Sequence, residues 1–242
     1  MFDLLPLPDF TLITPGSADV EPIRTLMEIG QEANRQYLAA LQEPPTGGRI
    51  TGSFIYAHPP DYIGRPTLGY GVADWRQLLA ELKELGIDTV IYQAAMWAEV
   101  RECYYPNSYA GYRTWNALEP LIEAVAAEGV TLYLGGLGNV LAFDEKATAE
   151  TLSADRDAQL ACFRDLLRYR DGFQGFYMSP ETAFPGRRQP ERERLLNRYF
   201  TEVCQGVKEL APGLPILMSP GTFFHPEMEA DIHDFLHNLL AG

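Results

Sequence analysis

The chain has 242 residues, of which 46% are hydrophobic and 21% charged, a balance typical of a globular protein. Its 33 acidic and 19 basic side chains give a formal net charge of -14 at pH 7. This charge excludes nucleic acid and anionic membrane surfaces as partners, because binding to them depends on Lys and Arg displacing counterions. An anionic polymer is therefore not expected as a substrate, which leaves small neutral ligands, carbohydrate among them, as candidates.

Neither a signal peptide nor a bilayer-spanning segment is expected. The sequence has no run of about 18 or more apolar residues, and its first eight residues lack a basic opening. Three cysteines, Cys103, Cys162 and Cys204, are too few and too scattered for a disulfide framework, so we interpret them as reduced thiols. These features predict a cytoplasmic protein, although a trimmed secreted domain would look the same.

Two regions are predicted along the chain, an N-terminal helical extension over residues 1–48 and a main domain over residues 49–242. Proline-rich ends flank a stretch of helical hydrophobic spacing from about Val20 to Leu41. We expect this helix to cover the main domain rather than to form a functional module of its own.

In the main domain one pattern recurs: an amphipathic helical stretch, a glycine, and a short apolar run. The glycines are Gly86, Gly129, Gly172 and Gly213, at intervals of 43, 43 and 41 residues. Glycine adopts the left-handed conformation that often ends a helix, so each glycine is predicted to stop a helix. The apolar runs are nearly continuous, which is typical of strands buried on both faces of a sheet.

Five strands are predicted, each followed by a helix. The strands are expected over residues 50–56, 89–92, 130–134, 176–178 and 216–218. Alternating strands and helices with right-handed crossovers form a parallel sheet, either an open doubly wound sheet or a TIM barrel. The near-constant repeat favours an α/β fold of TIM-barrel-like βα units.

A complete barrel needs eight such units. Five units predict an incomplete barrel, which is a shortened barrel, a fragment of a longer one, or an open five-stranded sheet. An open sheet exposes two edge strands, so we expect a covering helix or a second copy of the chain, as in a homo-oligomer, to shield them.

Polar side chains follow the predicted strands, at the ends where a barrel keeps its active site. Glu181 comes shortly after the fourth strand, where a carboxyl group suits general-acid catalysis. The alternative is a purely structural role, in which Glu181 caps the next helix or pairs with Arg187 or Arg188. Amides and hydroxyls both donate and accept hydrogen bonds, as sugar recognition requires. The substrate-binding candidates of this kind are His58, Gln93, Asn139, Tyr177 and Ser219.

Aromatic residues concentrate after the second strand, and Trp97 and Tyr105 are the candidates among them for sugar contact. Flat rings pack against the apolar faces of sugars, but they also pack against neighbouring loops, and both roles stay open. No cofactor or metal is expected. Glu229, His233 and His237 share one face of a predicted helix, and without a further ligand we interpret that face as solvated.

Six stretches of the chain, taken in order, resemble a TIM-barrel family catalogued as domain of unknown function 4434. They are residues 50–54, 82–93, 105–108, 132–137, 175–181 and 215–220, within a match over about residues 50–224. The resemblance implies a glycoside-hydrolase-like barrel that acts on or binds carbohydrate. Carried over by position, Glu181 looks like the acid/base residue that such barrels place after the fourth strand.

Two departures from that pattern matter. Pro180 stands where many such enzymes have Asn. The later strands that usually carry the second catalytic carboxylate are missing, so Asp61, Glu99 and Asp144 are left as substitutes for that carboxylate. The leading hypothesis is a glycosidase-like protein with Glu181 as proton donor. The alternatives are a non-catalytic carbohydrate-binding or scaffold protein, and a metal-dependent sugar isomerase, for which His58 with Glu181 is a thin ligand set.

Overall fold

The computed structural model describes Glu32, Arg35 and residues 50–57, 67–141, 146–182, 189–220 and 229–240. The chain divides into two compact units, Met1–Arg49 and Ile50–Gly242. In the first unit, Glu32 and Arg35 are helical and form an ion pair one helical turn apart. The rest of the predicted N-terminal helix lies outside the described residues, so its packing role stays a prediction.

The second unit contains alternating strands and helices. In chain order the strands are β1 (Gly52–Ile55), β2 (Thr89–Tyr92), β3 (Met96–Trp97), β4 (Glu102–Cys103), β5 (Arg113–Thr114), β6 (Thr131–Gly135), β7 (Leu137–Gly138), β8 (Gly175–Tyr177) and β9 (Ile216–Leu217). The helices are α1 (Val72–Glu84), α2 (Leu118–Glu128), α3 (Ala149–Leu166), α4 (Pro190–Leu210) and α5 (Glu229–Leu240). Among them, none combines the length and apolar character that a bilayer span requires.

The main sheet has the strand order β1-β2-β6-β8-β9, and every neighbouring pair is parallel. Each of these five strands is followed along the chain by a helix, which confirms the predicted α/β class and the predicted five units. The described strands do not close on themselves, since β1 and β9 stand at opposite ends of the sheet. The fold is therefore that of an incomplete barrel.

The two faces of the main sheet are buried to different degrees. On the face that packs against helices, Val90, Leu134 and Phe176 are fully buried, and the Phe176 ring lies 4.5 Å, centroid to centroid, from Phe163 of α3. On the opposite face, Ile91 and Tyr133 are only half-buried. The prediction of strands buried on both faces is thus wrong for β2 and β6, whereas it holds for β8, whose three residues are all buried.

A small second sheet, with the order β5-β4-β3-β7, was not expected from the sequence. Its strands have two residues each and lie in the segments that follow β2 and β6. One strand carries a buried carboxylate, Glu102, whose Oε1 pairs with Nη2 of Arg113 on the next strand at 2.5 Å. This sheet places Trp97, on β3, next to Gly138, on β7.

Three of the four regularly spaced glycines have the expected conformation. Gly86, Gly129 and Gly213 have φ angles of 89°, 65° and 84°, in the left-handed region, just after helical segments. The same expectation is wrong for Gly172, which ends a 3-10 helix over Leu167–Gly172 without a positive φ. A Cβ there would lie 2.4 Å from Cγ2 of Ile122, so close packing requires this glycine.

Candidate functional site

Glu181 lies four residues beyond the last residue of β8, at the carboxyl edge of the main sheet, and is half-buried. The phenol of Tyr177 donates a hydrogen bond to its Oε1 over 3.2 Å. Tyr177 is the last residue of β8, and its ring packs edge-on against Phe54 of β1, with 5.2 Å between ring centroids. The strand and this ring contact together fix the position of the phenol beside the carboxylate.

A second hydroxyl group joins this pair. Ser219, two residues beyond β9, has its Oγ 2.7 Å from the phenolic oxygen of Tyr177, and either group can donate in that pair. Burial raises the pKa of Tyr177, and the neighbouring charge of Glu181 raises it further. Tyr177 therefore keeps its proton throughout the neutral range and remains a hydrogen-bond donor. The predicted residues Tyr177, Glu181 and Ser219 thus come together as one hydrogen-bonded group.

Gln93 and Ser179 form a second contact at the same edge. The Ser179 hydroxyl donates to the backbone oxygen of Gln93 over 2.6 Å, which links the ends of β8 and β2 across the intervening β6. The side-chain oxygen of Gln93 is buried and has no hydrogen-bond partner among the described residues. Because a buried acceptor without a partner is costly, this oxygen is suited to accept from a ligand hydroxyl or a water molecule.

Trp97 is half-buried on the second sheet. Its six-membered ring lies against the backbone of Gly138, where a Cβ would come within 2.3 Å of Cε3 of the indole. The glycine therefore makes room for the ring to lie close against β7. The part of the indole that stays exposed is of the kind that packs against sugar rings.

Asn139 is engaged with the protein itself. Its amide nitrogen donates to Oδ1 of Asp155 in α3 over 2.6 Å, and its amide oxygen accepts from the backbone of Leu141 over 2.9 Å. Asp155 also accepts from the phenol of Tyr199 in α4 over 2.5 Å. Burial, and to a lesser degree the charge of Glu99, raises the pKa of Asp155 to about 6. Asn139 therefore ties the strand end to the helices, and the structure gives it no contact with Glu181.

Tyr105 lies in the core. Its side chain is fully buried, and its hydroxyl points at two sulfur atoms, Sδ of Met96 at 3.7 Å and Sγ of Cys162 at 3.9 Å. The guanidinium of Arg168 stands 5.6 Å from the ring centroid. Of the two roles left open for Tyr105, the structure shows packing, because a fully enclosed ring leaves no face for a ligand.

The remaining candidates contribute little to this group. His58, Asp61 and Asp144 lie outside the described residues, together with Arg187 and Arg188, the partners of the alternative role for Glu181. Glu99 accepts a hydrogen bond from the backbone N–H of Val140 over 2.7 Å, and its charge contributes to the raised pKa of Asp155. His233 is largely exposed on α5, and within the described ranges no three His, Cys, Asp or Glu side chains assemble as a metal site.

Sequence reasoning missed some residues that shape the site. Gly135 was not among the candidates, nor were Asp155 and Tyr199, which hold Asn139. Ser179 was marked in the sequence by the triplet Met-Ser-Pro, which occurs at residues 178–180 and again at 218–220 and predicts a role at the strand exits. Both serines follow main-sheet strands and form a hydrogen bond with a residue at the end of another strand, Ser219 with Tyr177 and Ser179 with Gln93, so the repeat reflects a shared structural role.

Two surface cavities lie away from the strand ends. One, of about 270 Å³, opens between α3 and α4, with Leu152 and Tyr199 in its wall. The other, of about 370 Å³, is lined by Asn107, Ser108, Tyr109, Asp165 and Arg168. Neither includes Glu181, so the candidate site rests on the hydrogen-bonded group at the sheet edge.

Solved structures of other proteins share this fold. The chain is similar to a candidate alpha-L-fucosidase from Bacteroides thetaiotaomicron, with a TM-score of 0.56, 20% sequence identity, and coverage of 74% of this chain and 54% of that one. It is also similar to alpha-L-fucosidase isoenzyme 2 from Paenibacillus thiaminolyticus, with a TM-score of 0.51, 14% identity, and coverage of 78% and 34%. At these identities the likeness concerns the fold, which is that of glycoside-hydrolase-like TIM barrels.

The family follows from the sequence match. Residues 50–240 match Domain of unknown function (DUF4434), and the chain belongs to that family, as its six stretches of resemblance indicated. A comparison with curated proteins found no match. The chain spans about half the length of the first fucosidase structure and about a third of the second.

Proposed function

We propose that this protein is a glycoside-hydrolase-like enzyme that binds and hydrolyses a neutral glycan at the carboxyl ends of its parallel strands, with Glu181 as general acid/base. The observation that carries the proposal is the placement of Glu181, half-buried at that edge and hydrogen-bonded to Tyr177 of β8. Active sites in barrel enzymes lie at this end of the strands. Membership in the DUF4434 family, together with the likeness of the fold to glycoside-hydrolase barrels, supports placing the catalytic group at this end of the strands.

The proposed chemistry is the transfer of a proton from one carboxyl group and back to it. In its protonated form Glu181 gives a proton to the glycosidic oxygen as the bond from that oxygen to the sugar breaks, and the bonding electrons stay with the leaving alcohol. The carboxylate then takes a proton from the water that attacks the sugar, which restores the acid. A second carboxylate completes the mechanism in most such enzymes, and Asp61, Glu99 and Asp144 are the candidates for it.

The charge and the nearby polar groups indicate the kind of substrate. A net charge of -14 repels anionic polysaccharides, so the substrate is a neutral glycan. The unpartnered side-chain oxygen of Gln93 accepts from a sugar hydroxyl, and the exposed part of Trp97 packs against a sugar face.

A panel of 4-nitrophenyl glycosides tests the proposal, and because both related structures bear the name alpha-L-fucosidase, the α-L-fucoside belongs in it. We expect the parent protein to release nitrophenol from at least one member. Glu181→Gln should lower that rate, and it should lower the rate for the phenyl glycoside of the same sugar by roughly 100-fold or more, the usual contribution of general-acid catalysis. Glu191→Gln is the matched control, because Glu191 is a largely exposed residue of the first turn of α4. Equal rates for the parent and Glu181→Gln would contradict the role of Glu181.

A non-catalytic carbohydrate-binding protein is the second candidate. It needs only side chains that can meet a sugar, such as Gln93 and the exposed part of Trp97, and no second carboxylate. This candidate predicts saturable binding of a neutral oligosaccharide by calorimetry, with no product after prolonged incubation. Product formation that depends on Glu181 would exclude it.

A further inference from the structure

We propose that Tyr177 and Ser219 position Glu181 rather than bind sugar, and that they determine which of its two oxygens carries the acid proton. This inference rests on the proposed function of Glu181 and assigns new roles to two residues that the sequence places among the substrate contacts.

The burial of Tyr177 is the first argument. Its side chain is 1% exposed, so its ring offers no surface to a ligand. Its hydroxyl is already engaged twice, with Oε1 of Glu181 at 3.2 Å and with Oγ of Ser219 at 2.7 Å. A phenolic oxygen has one proton to donate and is here surrounded by protein partners. Tyr177 therefore acts through Glu181.

The direction of the hydrogen bonds is the second argument. Tyr177 donates its single proton to Glu181, because a carboxylate oxygen only accepts. In the shorter contact Ser219 is then the donor, and the phenolic oxygen is the acceptor. The chain of donation runs from Ser219 through Tyr177 to Oε1 of Glu181. The Ser219 hydroxyl thus keeps the phenol turned toward the carboxyl group.

The position of the acid proton follows from this chain. When Glu181 is protonated, one oxygen becomes a carbonyl and the other a hydroxyl, and the carbonyl is the better acceptor. Oε1, which receives the proton of Tyr177, is the carbonyl, so the acid proton resides on Oε2. Oε2 is then the atom that gives its proton to the glycosidic oxygen and takes one from water. A buried donor to Oε1 also holds the carboxyl plane in one orientation.

Among the residues that the structure describes, Glu181 and Tyr56 are titratable groups whose charges raise the pKa of Tyr177, the first from the segment after β8 and the second from the end of β1. Glu181 interacts with it directly through a hydrogen bond, and Tyr177→Phe removes that contact together with the one to Ser219.

Leaving-group dependence gives the sharpest test, because proton donation matters only for leaving groups that need it. We would compare a phenyl glycoside with the 2,4-dinitrophenyl glycoside of the same sugar, chosen as the one the parent protein hydrolyses. Tyr177→Phe should lower kcat for the phenyl glycoside about 10- to 100-fold, the range for a hydrogen bond to a charged group. The dinitrophenyl glycoside should change less than about threefold, and KM should stay the same for both. Ser219→Ala should give a smaller loss of the same kind.

The chain provides a matched control for the tyrosine substitution. Tyr169 donates to Oε1 of Glu119 over 3.0 Å, in the segment after α3, and so forms a second Tyr–Glu pair away from the sheet edge. Tyr169→Phe should leave both glycosides unaffected. An equal loss on both glycosides with Tyr177→Phe, or a change confined to KM, would overturn the positioning role, because structural damage or lost sugar contact would explain it.

A stability cycle separates this inference from the proposed function. Tyr177→Phe should lower the urea midpoint in the parent protein and should have a smaller effect in a Glu181→Ala background, because the contact is already lost there. The same decrease in both backgrounds would contradict the hydrogen bond. If the parent protein hydrolyses no glycoside, the proposed function fails, while this cycle still decides whether Tyr177 holds Glu181.

Discussion

The Ser179 hydroxyl lies 2.6 Å from the backbone oxygen of Gln93, so two strands that are not neighbours in the sheet are joined at their carboxyl ends. The strand between them, β6, ends in Gly135, which has no side chain to separate the partners. The contact draws the end of β8 toward that of β2. The candidate acid, Glu181, follows Ser179 by two residues and is positioned by the same strand end.

Gly135→Ala should disrupt this junction. A Cβ at residue 135 would lie 1.9 Å from the backbone oxygen of Gln93 and 2.7 Å from Oγ of Ser179, so the strand ends must move apart. We expect a loss of about 3 kcal/mol in the free energy of unfolding, at the upper end for overpacking. Urea denaturation measures it. Gly69→Ala is the control, because nothing lies within 4 Å of its added Cβ, and a similar loss in both variants would contradict the steric account.

Asp155 should make the stability of the protein depend on pH. Burial raises its pKa from 3.8 to about 6 in the folded state, so folding favours the protonated form. The stability from this group is therefore complete below about pH 4 and is lost as the pH rises through about 6. The loss amounts to about 3 kcal/mol at most, from a shift of about 2 pKa units.

Asp155→Asn removes that titration and keeps the shape of the side chain. The free energy of unfolding of the variant minus that of the parent should therefore rise by up to about 3 kcal/mol between pH 4 and pH 7. Urea midpoints at one-unit pH intervals measure the difference, with the exposed neighbour substitution Asp157→Asn as control. Identical pH profiles for the parent and Asp155→Asn would show that Asp155 is not perturbed by burial.

The three cysteines should differ in reactivity. Cys103 and Cys162 are buried, and burial raises the pKa of the Cys103 thiol to about 11, whereas Cys204 is half-buried. Because the thiolate is the reactive form, iodoacetamide at pH 8 should modify Cys204 first and the other two only after urea is added. Mass spectrometry of peptides gives the order. Modification of Cys103 in the folded protein at the rate of Cys204 would contradict the described core.

The repeat of strands and helices could be predicted because its signals are local. Helical spacing, a glycine and an apolar run occur within each unit, and the left-handed glycines Gly86, Gly129 and Gly213 end their helical segments as expected. The second sheet escaped prediction for the same reason. Strands of two residues carry no periodicity, and their pairing depends on segments about 40 residues apart, as between β3 and β7.

The meeting of three candidate residues at one edge of the sheet was predictable, but the contacts of the other candidates were not. Parallel strands bring their carboxyl ends to one edge, which is why Tyr177, Glu181 and Ser219 meet. The sequence does not show with which partner a polar side chain forms its hydrogen bonds. Asn139 has the right position along its strand, yet it binds Asp155, sixteen residues later on α3. Competition between partners of this kind is settled by packing of the helices and not by local pattern.

The central claim is that Glu181 donates a proton to the departing alcohol. The most direct measurement is the dependence of kcat/KM on the acidity of the leaving group, over a series of substituted phenyl glycosides of one neutral sugar. The account predicts a shallow dependence for the parent protein and a steep one for Glu181→Gln, since without the acid the poorest leaving groups lose the most. Parallel dependences for the two proteins would contradict it.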